Sequence, residues 1–249
     1  MLTHMSLFSG IGGIDLAAEW AGFETVGQCE WAEYPTKVLE KHWPDVPRWR
    51  DIRSVTAESF SKETGRKTVD LVSGGFPCQP FSKAGNQRGK NDDRYLWPEM
   101  LRVIGELRPN WVVAENVENA VRMVIDDVCD SLESIGYKTQ PIVISAYCSG
   151  AWFDGKRTFI VASANDRGPV MWRNAQFQSD DKTNGERTDH RRRTSIIDAR
   201  QRWAVESRPY GVADGVPNRV DRIRCLGNAV VPQQIYPILK AIAELEATL

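Results

Sequence analysis

Short apolar runs along this chain alternate with amphipathic stretches of helical length. His4 to Phe8 reads as a strand, Gly13 to Gly22 as a helix, and Glu24 to Cys29 as a second strand. A helix from about Tyr34 to His42 follows, then a third strand near Arg48 to Ile52 and a fourth at Val69 to Val72. Leu96, Met100, Val103, Ile104 and Leu107 share one helical face. Trp111 to Ala114 gives a fifth strand, and Val121 to Ile135 another helix. Ile142 to Tyr147 and Thr158 to Ala162 are rich in β-branched and aromatic residues, as strands are. A last helix is expected from Gln233 to Leu245, with Ile235, Ile238, Leu239, Ile242 and Leu245 on one side. This rhythm predicts an α/β fold with a mostly parallel, doubly wound sheet.

The rhythm stops near Ala164. Residues 165–215 are polar and aperiodic, and read as a small irregular module beside a main domain of residues 1–164. Residues 216–249 then return to the main domain through the final helix. Charge sharpens the division. The chain carries −1 overall, yet residues 165–224 hold 13 Lys and Arg against 9 Asp and Glu, a net +4. That suits either an anionic polymer or a solvated arginine-rich loop. No signal segment and no apolar run of membrane-spanning length is visible. The five cysteines form no Cys-x-x-Cys pair, so neither a zinc site nor a disulfide framework is expected, and a reducing cytoplasm fits best.

Candidate chemistry gathers at predicted strand ends. Phe8-Ser9-Gly10-Ile11-Gly12-Gly13 joins the first strand to the first helix, and its glycines let a ligand approach the backbone. Asp15 stands where a dinucleotide site would have its third glycine, and no Walker lysine follows, so a pyrophosphate is a poor fit. Glu30 ends the second strand, where an acid can take two ribose hydroxyls. Trp31 offers a ring face, and Asp51 an acceptor for an adenine amino group. S-adenosylmethionine fits this ordered set. Cys78, between Pro77 and Pro80 after the fourth strand, is either a nucleophile or an inert core thiol. Glu115-Asn116-Val117 ends the fifth strand, as a crevice acid or a helix cap.

Taken in order, these segments resemble the DNA cytosine-C5 methyltransferases of bacteria and phages. Phe8 to Gly13, Glu30-Trp31 and Asp51-Ile52 resemble that family's cofactor motifs. Pro77-Cys78-Gln79 is similar to its nucleophile motif, Glu115-Asn116-Val117 to its Glu-Asn-Val motif, and Leu226 to Val230 to its last motif. One motif departs: Gln-x-Arg-x-Arg is replaced by Phe153-Asp154-Gly155-Lys156-Arg157, which keeps only the final arginine.

The resemblance implies a Rossmann-like, S-adenosylmethionine-dependent enzyme that acts on double-stranded DNA by flipping a cytosine out of the stack. Cys78, Glu115 and Arg157 are then catalytic. Phe8, Ser9, Gly10, Gly12, Gly13, Glu30, Trp31, Asp51, Ile52, Pro77, Asn228, Ala229 and Val230 hold the cofactor. Gln79, Ser82, Lys83, Arg88, Arg94 and Asn116 meet DNA, with residues 83–94 as a lid and 165–215 as the recognition region. No metal is implied, a monomer would suffice, and a cognate restriction endonuclease is the expected functional partner. A DNA-binding relic without activity and an RNA cytosine methyltransferase are the alternatives.

Overall fold

The computed structural model describes residues 1–77, 95–117, 124–151, 153–164 and 217–248. Seven strands form one sheet: β1 (Leu2–Leu7), β2 (Phe23–Cys29), β3 (Arg48–Trp49), β4 (Leu71–Gly75), β5 (Trp111–Val117), β6 (Tyr137–Ile144) and β7 (Arg157–Ala164). Their order across the sheet is β3-β2-β1-β4-β5-β7-β6. The pairs β1·β2, β2·β3, β1·β4 and β4·β5 are parallel, while β7 runs antiparallel to both its neighbours. From β1 the chain travels to one edge, then returns to lay β4 on the other side of β1. Connections leave the carboxyl ends of β1 and β4 in opposite directions, which opens a crevice there.

Alternation along the strands assigns each face its core. Met5, Leu7, Val72, Val112 and Ile160 pack on one side with Phe60, Met100, Ile104 and Leu132. These last four come from α3 (Ala57–Thr64), α4 (Trp97–Leu107) and α5 (Ile125–Ser134). Leu71, Val113, Phe159 and Val161 face the other way, against Ile14, Ala17 and Ala18 of α1 (Gly13–Trp20). The same cluster takes Ile235, Ile238, Leu239 and Ile242 of the final helix (Pro232–Glu246). The last helix of the chain thus lies beside the first. Helix α2 (Glu33–His42) links β2 to β3 and buries Leu39.

Several expectations shift. The third strand ends at Trp49, because Asp51 accepts from Arg53 N (2.9 Å) and starts a 3₁₀ turn at Ile52–Ser54. The fourth runs Leu71–Gly75 rather than Val69–Val72, its two glycines extending the ladder. The sixth starts at Tyr137 and ends at Ile144, and Ala146–Ser149 forms a 3₁₀ turn instead of strand. Its polar Lys138-Thr139-Gln140-Pro141 segment is tolerated because β6 is an edge strand, where proline costs no ladder bond. Helix α3 was not expected, although Thr56 and Ser59 form a reciprocal capping box at its start. Nor was α6 (Arg219–Asn228), which buries no residue and so shows no apolar periodicity. The final helix, α7, matches its expected span within a residue at each end. The predicted lid and the whole predicted recognition region, residues 165–215, lie outside the described residues. Among those described, no helix is long and apolar enough to cross a membrane.

Candidate active site at the strand ends

Beyond β1 the backbone turns sharply. Phe8, Gly10 and Gly12 all adopt positive φ (53°, 55° and 84°). Only glycine takes that region freely, so Phe8 is held there by its surroundings, and it packs on the core. Ser9 N donates to Cys29 O (3.0 Å), and Gly12 N closes the turn on Ser9 O (2.9 Å). A Cβ on Gly10 would meet nothing within 4 Å, so this position leaves its flank open for a ligand. On Gly13, a Cβ would sit 2.5 Å from Val230 O. Its absence lets the segment after α6 close over the loop.

The cleft above this loop measures about 1430 Å³. A single small-molecule site spans roughly 300–1,000 Å³, so there is room for a nucleoside and a second group. Phe8, Ser9, Gly10, Gly13, Glu30, Trp31, Asp51, Ile52, Pro77, Glu115, Asn228, Ala229 and Val230 all line it. Gly12 does not. It is buried, and a Cβ there would collide with the Trp43 ring, so helix packing rather than a ligand requires glycine.

Glu30 spans two loops: Oε2 accepts from Gly10 N and Oε1 from Ala32 N, both at 2.8 Å. Each oxygen keeps a lone pair for a further donor, such as a ribose hydroxyl. Trp31 stands exposed on the rim, and Arg50 donates to its carbonyl (2.7 Å). Asp15, expected at the mouth of α1, instead points inward. Ser6 Oγ (2.9 Å) and Gln28 Nε2 (2.8 Å) donate to its buried carboxylate. Burial raises its pKa to about 6.

The other wall is built on β4, β5 and β7. Glu115 is buried, and Arg157 Nη1 donates to its Oε1 at 3.0 Å. Burial raises the Glu115 pKa, and Arg157 pulls it back. Glu115 Oε2 lies over Gly75, where a Cβ would approach to 2.7 Å. Arg157 Nη2 also donates to Ala229 O (3.2 Å) and Asn228 O (3.4 Å). One guanidinium therefore joins the buried acid to the segment that covers the glycine loop.

Asn116, expected to meet DNA, turns inward. It is buried, its Nδ2 donates to Phe76 O (2.8 Å), and its Oδ1 accepts from Val117 N (2.9 Å). The Phe76 ring packs on Trp97 with centroids 5.0 Å apart. Together these contacts fix the backbone two residues before Cys78. Cys78, Gln79, Ser82, Lys83, Arg88 and Arg94 lie outside the described residues. Two other thiols, of Cys29 and Cys225, line the cleft. Burial pushes Cys29 up to about 12 and also raises Cys225, which disfavours the thiolate form of both.

Gly75, Asp221 and Arg224 are among the cleft residues that sequence reasoning missed. Gly75 could have been suspected from the Gly74-Gly75 pair before the cysteine loop. Asp221 and Arg224 reach the cleft from α6, whose polar surface gives no periodic signal.

Comparison with known proteins accords with this geometry. The type II methyltransferase M.FnuDI of Fusobacterium nucleatum is 33% identical over 167 residues, covering 65% of this chain and 47% of its own length. M.HhaI of Haemophilus parahaemolyticus, also a type II methyltransferase, is 30% identical over 170 residues, covering 66% and 50%. The chain thus spans about half the length of these curated relatives. A crystal structure of the S. pombe Dnmt2 methyltransferase shares the fold over 98% of this chain and 99% of its own, with TM-score 0.67 and 15% identity. Residues 2–207 match the family described as C-5 cytosine-specific DNA methylase, and the chain belongs to that family.

Proposed function

We propose that this protein transfers a methyl group from S-adenosylmethionine to C5 of a cytosine flipped out of duplex DNA, with Cys78 as nucleophile. The observation that carries this reading is the shared cleft. A buried acid, backed by Arg157, and an open glycine turn with a ribose-type acceptor face one space, and Pro77, the residue before Cys78, lines it.

The residues present fit the cofactor. Gly10 leaves room for it, Glu30 keeps acceptor capacity for a ribose, and Asp51, Ile52 and Trp31 bound the far end. Bound there, S-adenosylmethionine supplies an electrophilic methyl group. The chain's own residues handle the base. Cytosine C5 is too weak a nucleophile unaided. The Cys78 thiolate adds to C6, which breaks the ring's conjugation and places electron density on C5. Glu115, which lines the cleft, faces N3 and favours its protonation as negative charge develops there. Arg157 orients that carboxyl. Once C5 carries the methyl group its proton passes to solvent, the freed electron pair forms the C5–C6 double bond and expels Cys78 as thiolate, and the N3 proton returns to Glu115. Extruding the base costs a few kcal/mol, which contacts from residues 79–94 and 165–215 would offset.

Incubation with duplex DNA and labelled S-adenosylmethionine is expected to place label on cytosine C5. Label on N4, on adenine, or on RNA alone would refute the assignment. DNA containing 5-fluorocytosine should trap a covalent complex that Cys78→Ser cannot form. Absence of that complex in the unaltered protein would mark a binding protein without catalysis.

A further inference from the structure

Gly12 is the loop glycine that faces away from the cleft, and what it faces is specific. A Cβ on Gly12 would lie within about 2.5 Å of the Trp43 ring and 3.2 Å from Leu39. Trp43 ends α2, which is otherwise distant from the glycine turn in sequence. Its indole Nε1 donates to Glu19 of α1. Its backbone N donates to Leu39 O (2.8 Å), and its carbonyl accepts from Arg48. Arg48 Nη2 also holds Leu39 O (2.9 Å), and its Nε reaches Gln28 Oε1 (2.9 Å). The ring is thus fixed by α1, by α2 and by the start of β3. On the cleft side the same turn is tied by Glu30 to Gly10 N.

We propose that Trp43 is a positioning residue for the cofactor: its indole, wedged beneath Gly12, sets the left-handed turn of residues 9–12 without touching the ligand. The physical reason is steric. Gly12 can visit both signs of φ at little cost. A turn built on it is ordered only if something restricts those alternatives. Trp43 fills the space beside Gly12 where a side chain would stand, so the turn has a rigid ring against its back. Removing the ring frees the turn, and the cofactor must then order it on binding, which lowers affinity. The proposal rests on the cofactor reading above, and the test separates the two.

Binding of S-adenosylhomocysteine by calorimetry is the first measurement. Trp43→Ala is expected to weaken it about tenfold, while kcat at saturating cofactor stays near the unaltered value. Trp43→Phe, which keeps a ring against Gly12 but loses the Glu19 bond, should restore affinity. Trp20→Ala removes an exposed tryptophan from the neighbouring face, packed on Tyr236 and not on Gly12, and should leave affinity unchanged. Amide hydrogen exchange of residues 9–13 without ligand is the second measurement. It should accelerate in Trp43→Ala and not in Trp20→Ala. If Trp43→Ala does not fold, Trp43→Leu takes its place with the same expectation. Unaltered affinity and unaltered exchange in the folded variant would overturn the proposal. If the unaltered protein does not bind S-adenosylhomocysteine, the cofactor reading fails, and the exchange comparison still decides whether Trp43 orders the turn.

Discussion

The two walls of the cleft are made by different physics. The glycine-loop wall is shaped mainly by absent side chains: Gly10 leaves space, Gly13 admits Val230, and Gly12 admits Trp43. Its acid, Glu30, is only partly buried and is held by backbone amides. The opposite wall is shaped by one buried ion pair, Glu115 with Arg157, whose side chains are 6% and 13% exposed. Backbone-built surfaces tolerate small changes in charge, whereas a buried charge that loses its partner is costly. The two walls should therefore fail differently under substitution, one in affinity and the other in turnover and stability.

The sharpest way to test that contrast is to cut the ion pair. Arg157→Ala leaves Glu115 buried without its cation, and breaking such a pair costs about 3–5 kcal/mol. It also frees the carbonyls of Asn228 and Ala229. Chemical denaturation should report the stability loss. The pKa of Glu115 should climb further, since Arg157 is what lowers it. Glu115→Gln keeps the shape but cannot deliver a proton in the same way, and kcat should fall by about 10²–10⁴-fold with little change in cofactor affinity. A weakened cofactor affinity with intact kcat would break the contrast.

Next in size is Gly75→Ala. The new methyl would lie 2.7 Å from Glu115 Oε2, so the carboxylate must move. A misplacement of about 1 Å can cost on the order of 10²-fold in rate. Single-turnover kinetics should show a slower chemical step, again with cofactor binding preserved. On the other wall, Gly10→Ala meets no protein atom but forces a side chain to φ 55°, at about 1–2 kcal/mol. Calorimetry should find weakened S-adenosylhomocysteine binding together with a modest drop in melting temperature. Equal affinity would mean that the ligand does not pass Gly10.

How far these walls could be read from sequence follows from the same contrast. Glycines at a strand end, and acids at Glu30, Asp51 and Glu115, announce themselves because their types are unusual at those places. Arg157 was legible as the last arginine of an altered motif, and its bond to Glu115 follows from β5 and β7 pairing, with Glu115 opposite Phe159. The direction a glycine faces was not legible. Gly12 and Gly10 look alike in sequence, yet one is buried under Trp43 and the other lines the cleft. Asn116 looked like a polar group at a crevice, and only the fold reveals that Phe76 O takes its amide. Helix α6 escaped because it buries nothing, so its residues carry no apolar period. The alternating strands and the final helix were legible because burial on a fixed face imposes a period.

Asp15 is the exception that sharpens the comparison, because it places a buried charge behind the backbone-built wall. Desolvation raises its pKa from 3.8 to about 6, against the opposing hydrogen bonds from Gln28 and Ser6 and its own backbone, while Glu19 adds to the rise. The sign follows from proton uptake. The folded state holds this proton more tightly than the unfolded chain, so the stability it lends is fully present below 3.8 and is lost as pH rises through about 6. Between about pH 5 and pH 7 the loss amounts to about 1 kcal/mol, since one pKa unit is worth about 1.4 kcal/mol. Asp15→Asn has no proton to lose, and Ser6 can turn its hydroxyl to accept from the new amide. Melting curves of the two proteins should therefore diverge with rising pH, with Asp15→Asn gaining relative to the unaltered chain by about that amount. Other titrating groups are common to both proteins and cancel in the difference. A constant offset across this range would mean that Asp15 is ionised throughout, so that the hydrogen bonds from Ser6 and Gln28 outweigh its burial. The glycine-loop wall would then rest on a charge as firmly held as the pair across the cleft.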